Sequence, residues 1–297
     1  MASFKTAQTA VVDAKYEGGI KVFLESAEDV RIFSEHWFSH KQDKLRFVSA
    51  EGEQSGGGGC QVVISKVEEA NKQNIQAYGI VDRDVLLSDE KLDIFWETND
   101  PKFHAAKPYG EKIHVLRRWE LENYLLQPDA FTSEVSRRVS RSPSPIVSED
   151  IFLSQADELI QVTALTTFSV RHCKNSPNPG FGIQSTGEEL TKEIDKFLKK
   201  QFPEVVDPDI SNDAKKIIAF GQNDVNSAER WEGLSRILDG KKSLMRLCRY
   251  LSDSLGIESI RHWEEMRGCL ANAIASKDTI DHELKDLMDD IGSKAPN

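Results

Sequence analysis

Cysteine is scarce and dispersed. Cys60, Cys173, Cys248 and Cys269 form no CxxC pair, so neither a zinc knuckle nor a secreted disulfide scaffold is supported, and free thiols in a reducing cytosol are expected. Long apolar runs are missing as well. The opening MASFKTAQTAVVDAKYEGG has no apolar h-region, and no later stretch approaches the roughly 20 apolar residues needed to cross a bilayer. A soluble cytoplasmic protein with no membrane contact is the expectation. There is no GxxxxGK[ST] segment, because the glycine run 56–59 is followed by Cys60, and intrinsic ATPase activity by that route is excluded. No HExxH occurs. The seven histidines are scattered without close ligand spacing, and His36 and His40 lack an accompanying glutamate motif. Positive charge is in deficit: the net charge of -11 repels a polyanion at long range. Nucleic acid would have to be engaged through a local basic surface, a divalent metal or a partner.

What is present is an α/β rhythm. A chain of 297 residues buries one large or two modest cores. Lys21-Val22-Phe23-Leu24 reads as a short buried strand ending at Glu25, and residues 28–38, EDVRIFSEHWF, carry apolar residues at helical spacing. Residues 45–48 are a second strand, followed by SAEGEQSGGGG, whose glycines belong to neither a helix nor a strand interior. Residues 60–74 read as a helix with Val62, Val63, Val67 and Ala70 as its apolar stripe. Residues 75–81 form a third strand running into Asp82-Arg83-Asp84, and residues 112–116 a fourth, before the helical WELENYLLQPDAF. Alternating strands and helices indicate a mostly parallel sheet covered by helices. In such sheets active groups gather at the carboxyl ends of strands. Beyond residue 128 the rhythm breaks. Residues 129–188 read as an irregular insertion or linker, with Ser142-Pro143-Ser144-Pro145 resisting a regular helix. Residues 189–297 read as a mainly helical portion completing or capping the core 18–128, with helices over 189–202, 231–255, 260–274 and HELKDLMDDIGS.

The chemistry lies in the acids. Asp82 and Asp84 are two apart at a strand end, so strand periodicity turns both carboxylates to one side. Like charges so close disfavour double ionisation unless a cation sits beside them, and magnesium, hard and oxygen-seeking, suits that environment. Glu25 closes an earlier buried strand, and Asp29, four residues on, falls in the first turn of the next helix. There it joins the metal set or serves favourable helix N-terminal charge. In RRWELENYLL, Glu120 and Glu122 cannot share a helix face, so at most one joins the metal shell, and Glu122 is preferred. Arg117 and Arg118 either clamp phosphate or make ordinary salt bridges. Lys241, in Gly240-Lys241-Lys242, heads the run SLMRLCRYL, where a helix N-terminus favours anions. It is a candidate for neutralising charge on a phosphoryl group, against the reading of a solvated helix start. Arg246 with Arg249, and Arg137, Arg138 and Arg141, suggest basic stripes without an aromatic RNA-recognition signature. A haloacid-dehalogenase-like phosphatase would carry its DxD after the first core strand, whereas here that strand ends in glutamate.

The order KVFLESAED, SAEGEQSGGGG, GIVDRDV, RRWELENYLL resembles the TOPRIM module of topoisomerases, primases and overcoming-lysogenization-defect nucleases. GIVDRD with LRRWELENYLL looks like the DUF4435 branch, which includes the TOPRIM effectors of two-component PARIS anti-phage systems, and the later LDGKKSL resembles their downstream glycine-lysine element. The resemblance implies a Rossmann-like TOPRIM domain binding divalent metal, Mg2+ or Mn2+, with Glu25 as ligand or general acid/base. By the same likeness Asp29, Asp82, Asp84 and Glu122 complete the metal set, and Lys241 is the downstream lysine. Glu25-Ser26 stands where many relatives have glutamate-glycine. The resemblance further implies an ABC-type ATPase partner and cleavage of transfer RNA that stops translation. Competing expectations are a DNA-nicking or DNA-cleaving nuclease, a catalytically silent interaction module, and a small-molecule phosphatase. Amphipathic C-terminal helices offer either a homodimer interface or an intramolecular cap.

Overall fold

The computed structural model describes residues 19–51, 59–139, 145–205, 208–221 and 226–295. Glycines 56–58, the segment Ser142-Pro143-Ser144, and Arg141 lie outside the described residues. The protein is a mixed α/β chain with a small parallel sheet and a largely helical remainder. It divides into two compact units, Met1–Asp82 with His104–Leu116 and Ala275–Asn297, and Arg83–Phe103 with Arg117–Ile274.

The first unit is built on four parallel strands, β1 (Ile20–Leu24), β2 (Leu45–Ser49), β3 (Ala77–Val81) and β4 (Ile113–Val115), in the order β2-β1-β3-β4. All four expected strands are present. Chain order runs outward from β1 to β2 on one side and from β3 to β4 on the other, so the direction of winding reverses between β1 and β3. That reversal opens a crevice at the carboxyl ends of the two central strands, and those ends are followed by Glu25 and Asp82. The register aligns Val22 with Tyr78 and Phe23 with Gly79. Gly79 is required here by packing: a Cβ would stand 2.7 Å from Val63 and 2.9 Å from Ile113, because the helix Cys60–Lys72 presses Val63, Val67 and Ala70 onto the sheet.

The helix expected over 28–38 begins as one and then widens. Residues Ala27–Arg31 are α-helical, and Ile32–Trp37 form a π-helical segment closed by the Phe38 N–H donating to the Phe33 carbonyl at 2.8 Å. The wider turn brings Phe33, Trp37 and Phe38 together, with Phe33 and Phe38 both against Phe47 of β2. The terminal helix His282–Ser293, expected from HELKDLMDDIGS, belongs to this unit. It buries Leu284, Met288 and Ile291.

The second unit is helical. Residues 129–188, which read as irregular, contain much of the helix Pro128–Arg138, the short helix Glu149–Leu153 and the 16-residue helix Ala156–Arg171. The last is buried on nearly every side, from Leu159 and Ile160 to Leu165 and Phe168. An enclosed helix has no polar face to give it a period. Two expected continuous helices are broken. WELENYLLQPDAF divides into Glu122–Leu125 and Pro128–Arg138, because Pro128 takes the first helical position and holds Gln127 extended. The run 231–255 divides into Ser227–Ser235 and Gly240–Leu255, where the Asp239 side chain caps the second helix by accepting the Lys242 N–H at 3.0 Å.

Candidate functional sites

Glu25, Asp29 and Asp82 belong to the first unit; Asp84, Glu122 and Lys241 belong to the second. In the first unit the strand ends bring Glu25 and Asp82 together. The Asp82 backbone N–H donates to Glu25 Oε1 at 2.9 Å, and Cys60 Sγ, at the start of the helix Cys60–Lys72, approaches the same oxygen. Both acids are half-buried. Carboxylates are oxygen donors, the kind that a hard cation such as magnesium takes. That ion is commonly held by one or two carboxylates with waters and substrate phosphate completing its shell.

Asp29 has a helix-start role. Ser26 caps the helix Ala27–Arg31, accepting the Asp29 N–H at 3.1 Å, while Asp29 Oδ2 accepts the Ser26 N–H at 3.1 Å. This reciprocal capping box satisfies two donors that a helix start otherwise leaves orphaned. The serine that follows Glu25 is the cap itself.

In the second unit, Asp84, Trp119, Glu120, Asp239, Lys241 and Lys242 line a cavity of about 160 Å³. Glu120 lines it, while the nearby Glu122 is buried with its Oε1 3.3 Å from Arg267 Nε. Glu120 occupies the N-terminus of the helix Gly240–Leu255: its Oε1 accepts the Lys241 backbone N–H and its Oε2 the Lys241 Nζ, the latter at 2.9 Å. The anion seat that the sequence offers to a phosphate therefore already holds a carboxylate of this chain. Burial pushes the Glu120 carboxyl up, to about 8, helped by Glu122 and Asp239 and opposed by Lys241. Lys242 is buried against Asp239 at 3.1 Å.

Gly240 explains why glycine precedes those lysines. A Cβ there would lie 2.3 Å from Asn123 Oδ1 and 2.9 Å from Glu120 Cγ. The close approach lets Asn123 Nδ2 donate to the carbonyls of Ser235 and Leu238, each at 2.8 Å, while its Oδ1 accepts the Glu120 N–H at 3.0 Å. One side chain thus joins the ELEN and LDGKK segments.

Arg83, between the two aspartates, is fully buried. Its guanidinium donates to the carbonyls of Phe95 at 2.7 Å, Glu97 at 2.8 Å, Ile94 at 3.4 Å and Arg117, and it lies 4.3 Å over the Phe103 ring. With Arg83 turned into the core, Asp82 and Asp84 are the part-exposed members of the DRD triplet. Other cations are engaged too. Arg117 pairs with Asp100 at 2.9 Å, and Arg118 grips both oxygens of Glu232 at 2.8 and 2.9 Å. Arg246 is buried among the carbonyls of Gly182 and Ser185, and Arg137 and Arg138 both pair with Glu134. For Arg117 and Arg118 the salt-bridge reading is the one these contacts support.

One metal-competent group was not legible in the sequence. Among the described residues, His104, His114 and Glu283 of the first unit are the one set of three ligating side chains whose donor atoms all lie within 4.8 Å of one another. The cluster can in principle coordinate a divalent cation. No helix among the described residues is long and apolar enough to cross a membrane. Comparison with family models, with curated proteins and with solved structures gave no match.

Proposed function

We propose that this chain is a divalent-cation-dependent phosphodiesterase of the TOPRIM kind, a nuclease whose cation is held by strand-end carboxylates. The observation that carries the reading is the pairing of Glu25 with Asp82 at the β1/β3 winding reversal, where the Asp82 N–H orients the Glu25 carboxylate. Parallel sheets bind ligands at that point. Two part-exposed carboxylates suit magnesium, with manganese as a chemical equivalent. When bound, such an ion lowers the pKa of an attacking water and stabilises the leaving oxygen. Glu25 and Asp82 hold the cation in this reading, and Asp84 belongs to the same acidic triplet.

Transfer RNA as substrate, arrest of translation and release by an ABC-type ATPase belong to the same proposal and rest on the sequence resemblance. The net charge of -11 and the engagement of Arg117, Arg118 and Arg246 in internal pairs favour a partner that helps bring nucleic acid to the chain. The test is cleavage of end-labelled total RNA and of plasmid DNA by purified protein of defined oligomeric state, with magnesium or chelator, beside Asp82→Ala. RNA fragments of transfer-RNA size that need both metal and Asp82 support the ribonuclease. Nicking of DNA alone moves the chain to the DNA nucleases. Absence of any cleavage, by the protein alone and with the ATPase supplied, overturns the enzymatic reading in favour of an interaction module.

A further inference from the structure

The cluster His104, His114 and Glu283 has a chemistry different from the strand-end acids. We propose that it is a site for a borderline divalent transition metal, zinc being the type, that clamps the terminal helix to the edge of the sheet. His104 lies in the last turn of the helix Asp100–Ala106, His114 at the centre of the edge strand β4, and Glu283 in the first turn of the helix His282–Ser293. All three belong to the first unit.

Three observations point the same way. The donor set is two imidazoles and one carboxylate, a combination that zinc accepts in three-ligand sites with the fourth position left to water. Magnesium prefers oxygen alone. The positions are close to those required: His114 Nε2 stands 2.8 Å from Glu283 Oε1, and the three donor atoms all fall within 4.8 Å of one another. Ligands of a tetrahedral ion at ~2.1 Å stand ~3.4 Å apart, so small rotamer movements complete the shell. The His104 and His114 rings are stacked, with centroids 5.6 Å apart and planes at 21°.

The cluster brings a second imidazole beside the His114–Glu283 pair. A shared cation gives both nitrogens one partner. The Glu283 side chain is only 4% exposed and His114 21%, so the carboxylate is shielded while an imidazole edge remains open to an entering ion. Glu283 is also held in place locally, its backbone N–H donating to the capping Asp281 side chain at 3.0 Å. Its separation from His114 is 169 residues, and a metal link closing so long a segment constrains the unfolded chain strongly.

The experiment uses the full chain stripped with chelator and then titrated with zinc, cobalt or magnesium alone, followed by calorimetry and thermal melting. Wild type is expected to bind one zinc, with Tm rising by about 4 °C at a hundredfold excess over Kd, and magnesium to give no such rise. Cobalt should give the intense visible bands of a tetrahedral site without a thiolate charge-transfer band. His104→Ala and His114→Ala should each weaken zinc binding by more than the ~10–100-fold that loss of a supporting outer residue costs. Their far-UV spectra should remain those of wild type. Glu283→Gln should weaken binding while leaving the helix in place. Zinc affinity unchanged in both histidine variants, no Tm rise in wild type, or a cobalt–thiolate spectrum would overturn the proposal. Glu25 and Asp82 take no part in this site, so its failure would leave the nuclease reading untouched, and the reverse.

Discussion

Two sets of acids, one at the strand ends of the first unit and one at a helix start of the second, sit in different surroundings. At the ends of β1 and β3, Glu25 receives the Asp82 backbone N–H at 2.9 Å and is half-buried. In the second unit, Glu120 and Asp239 each face a lysine of the same helix start, at 2.9 and 3.1 Å. A lysine ammonium beside a carboxylate offsets most of its charge. The comparison teaches that the number of acids near a strand end or helix start is a poor guide to metal binding. What matters is whether the protein itself supplies the opposing charge. The cavity beside Glu120 is a region where each acid carries a lysine and where the Glu120 carboxyl, raised by burial, responds to pH.

The largest expected effect tests the first half of that contrast. Asp82→Ala and Glu25→Gln should each lower metal-dependent cleavage by ~10³-fold or more, equivalent to about 4 kcal/mol of barrier. The melting temperature should stay close to wild type, since removing one of two close acids need not damage the core. Parallel rate and melting measurements decide it, and an equal loss of rate in Glu120→Gln would break the comparison.

The second effect lies in stability. Arg83→Met removes the donor from four carbonyls, those of Ile94, Phe95, Glu97 and Arg117. At about 1 kcal/mol for each lost bond the variant should be destabilised by about 3–4 kcal/mol in urea unfolding. A loss under about 1 kcal/mol would mean that the carbonyls find water and that the cage does not hold the DRD segment.

These two predictions differ in how far they could be read from the sequence. The strands were legible because each is a short apolar run, and two of them stop at an acid, as KVFL stops at Glu25 and AYGIV at Asp82. Arg83 was not, because DRD reads as three solvated charges, and the carbonyls that bury the guanidinium come from residues 94–97 and 117. Glu120 and Glu122 sit one residue either side of Leu121, and what separates their environments is Lys241 for one and Arg267 for the other. The metal-competent triad is invisible for the same reason: His104 and His114 fall ten apart with no motif, and Glu283 arrives from the far end of the chain. The helix Ala156–Arg171 was missed because it is enclosed, so its apolar residues follow no face.

A third, smaller effect probes the cavity beside Glu120. With the Glu120 carboxyl raised from 4.5 to about 8, the folded state binds its proton more tightly than the unfolded chain. The stability this contributes is full below about 4.5 and is lost as the pH rises through about 8. Between pH 5 and pH 8.5, wild type should therefore lose stability relative to Glu120→Gln, which cannot titrate. Parallel pH profiles of the two proteins in urea would show the lines converging toward acid. Profiles that stay parallel would mean that Lys241 holds Glu120 ionised throughout, and the cavity would then carry a fixed ion pair.

The smallest effect sharpens the contrast at its most ambiguous residue. Asp29 stands four positions after Glu25, but its Oδ2 already accepts the Ser26 N–H in the capping box. If its work is to start the helix, Asp29→Ala should cost about 1 kcal/mol, as loss of a cap does, and leave cleavage within about threefold, which is under 1 kcal/mol of barrier. Ser26→Ala should match it in stability, because the two side chains serve the same pair of N–H groups. Should Asp29→Ala instead abolish cleavage while Ser26→Ala preserves it, the carboxylate would be acting on the cation as well as on the helix. Asp29 would then join Glu25 and Asp82 in the proposed cation site.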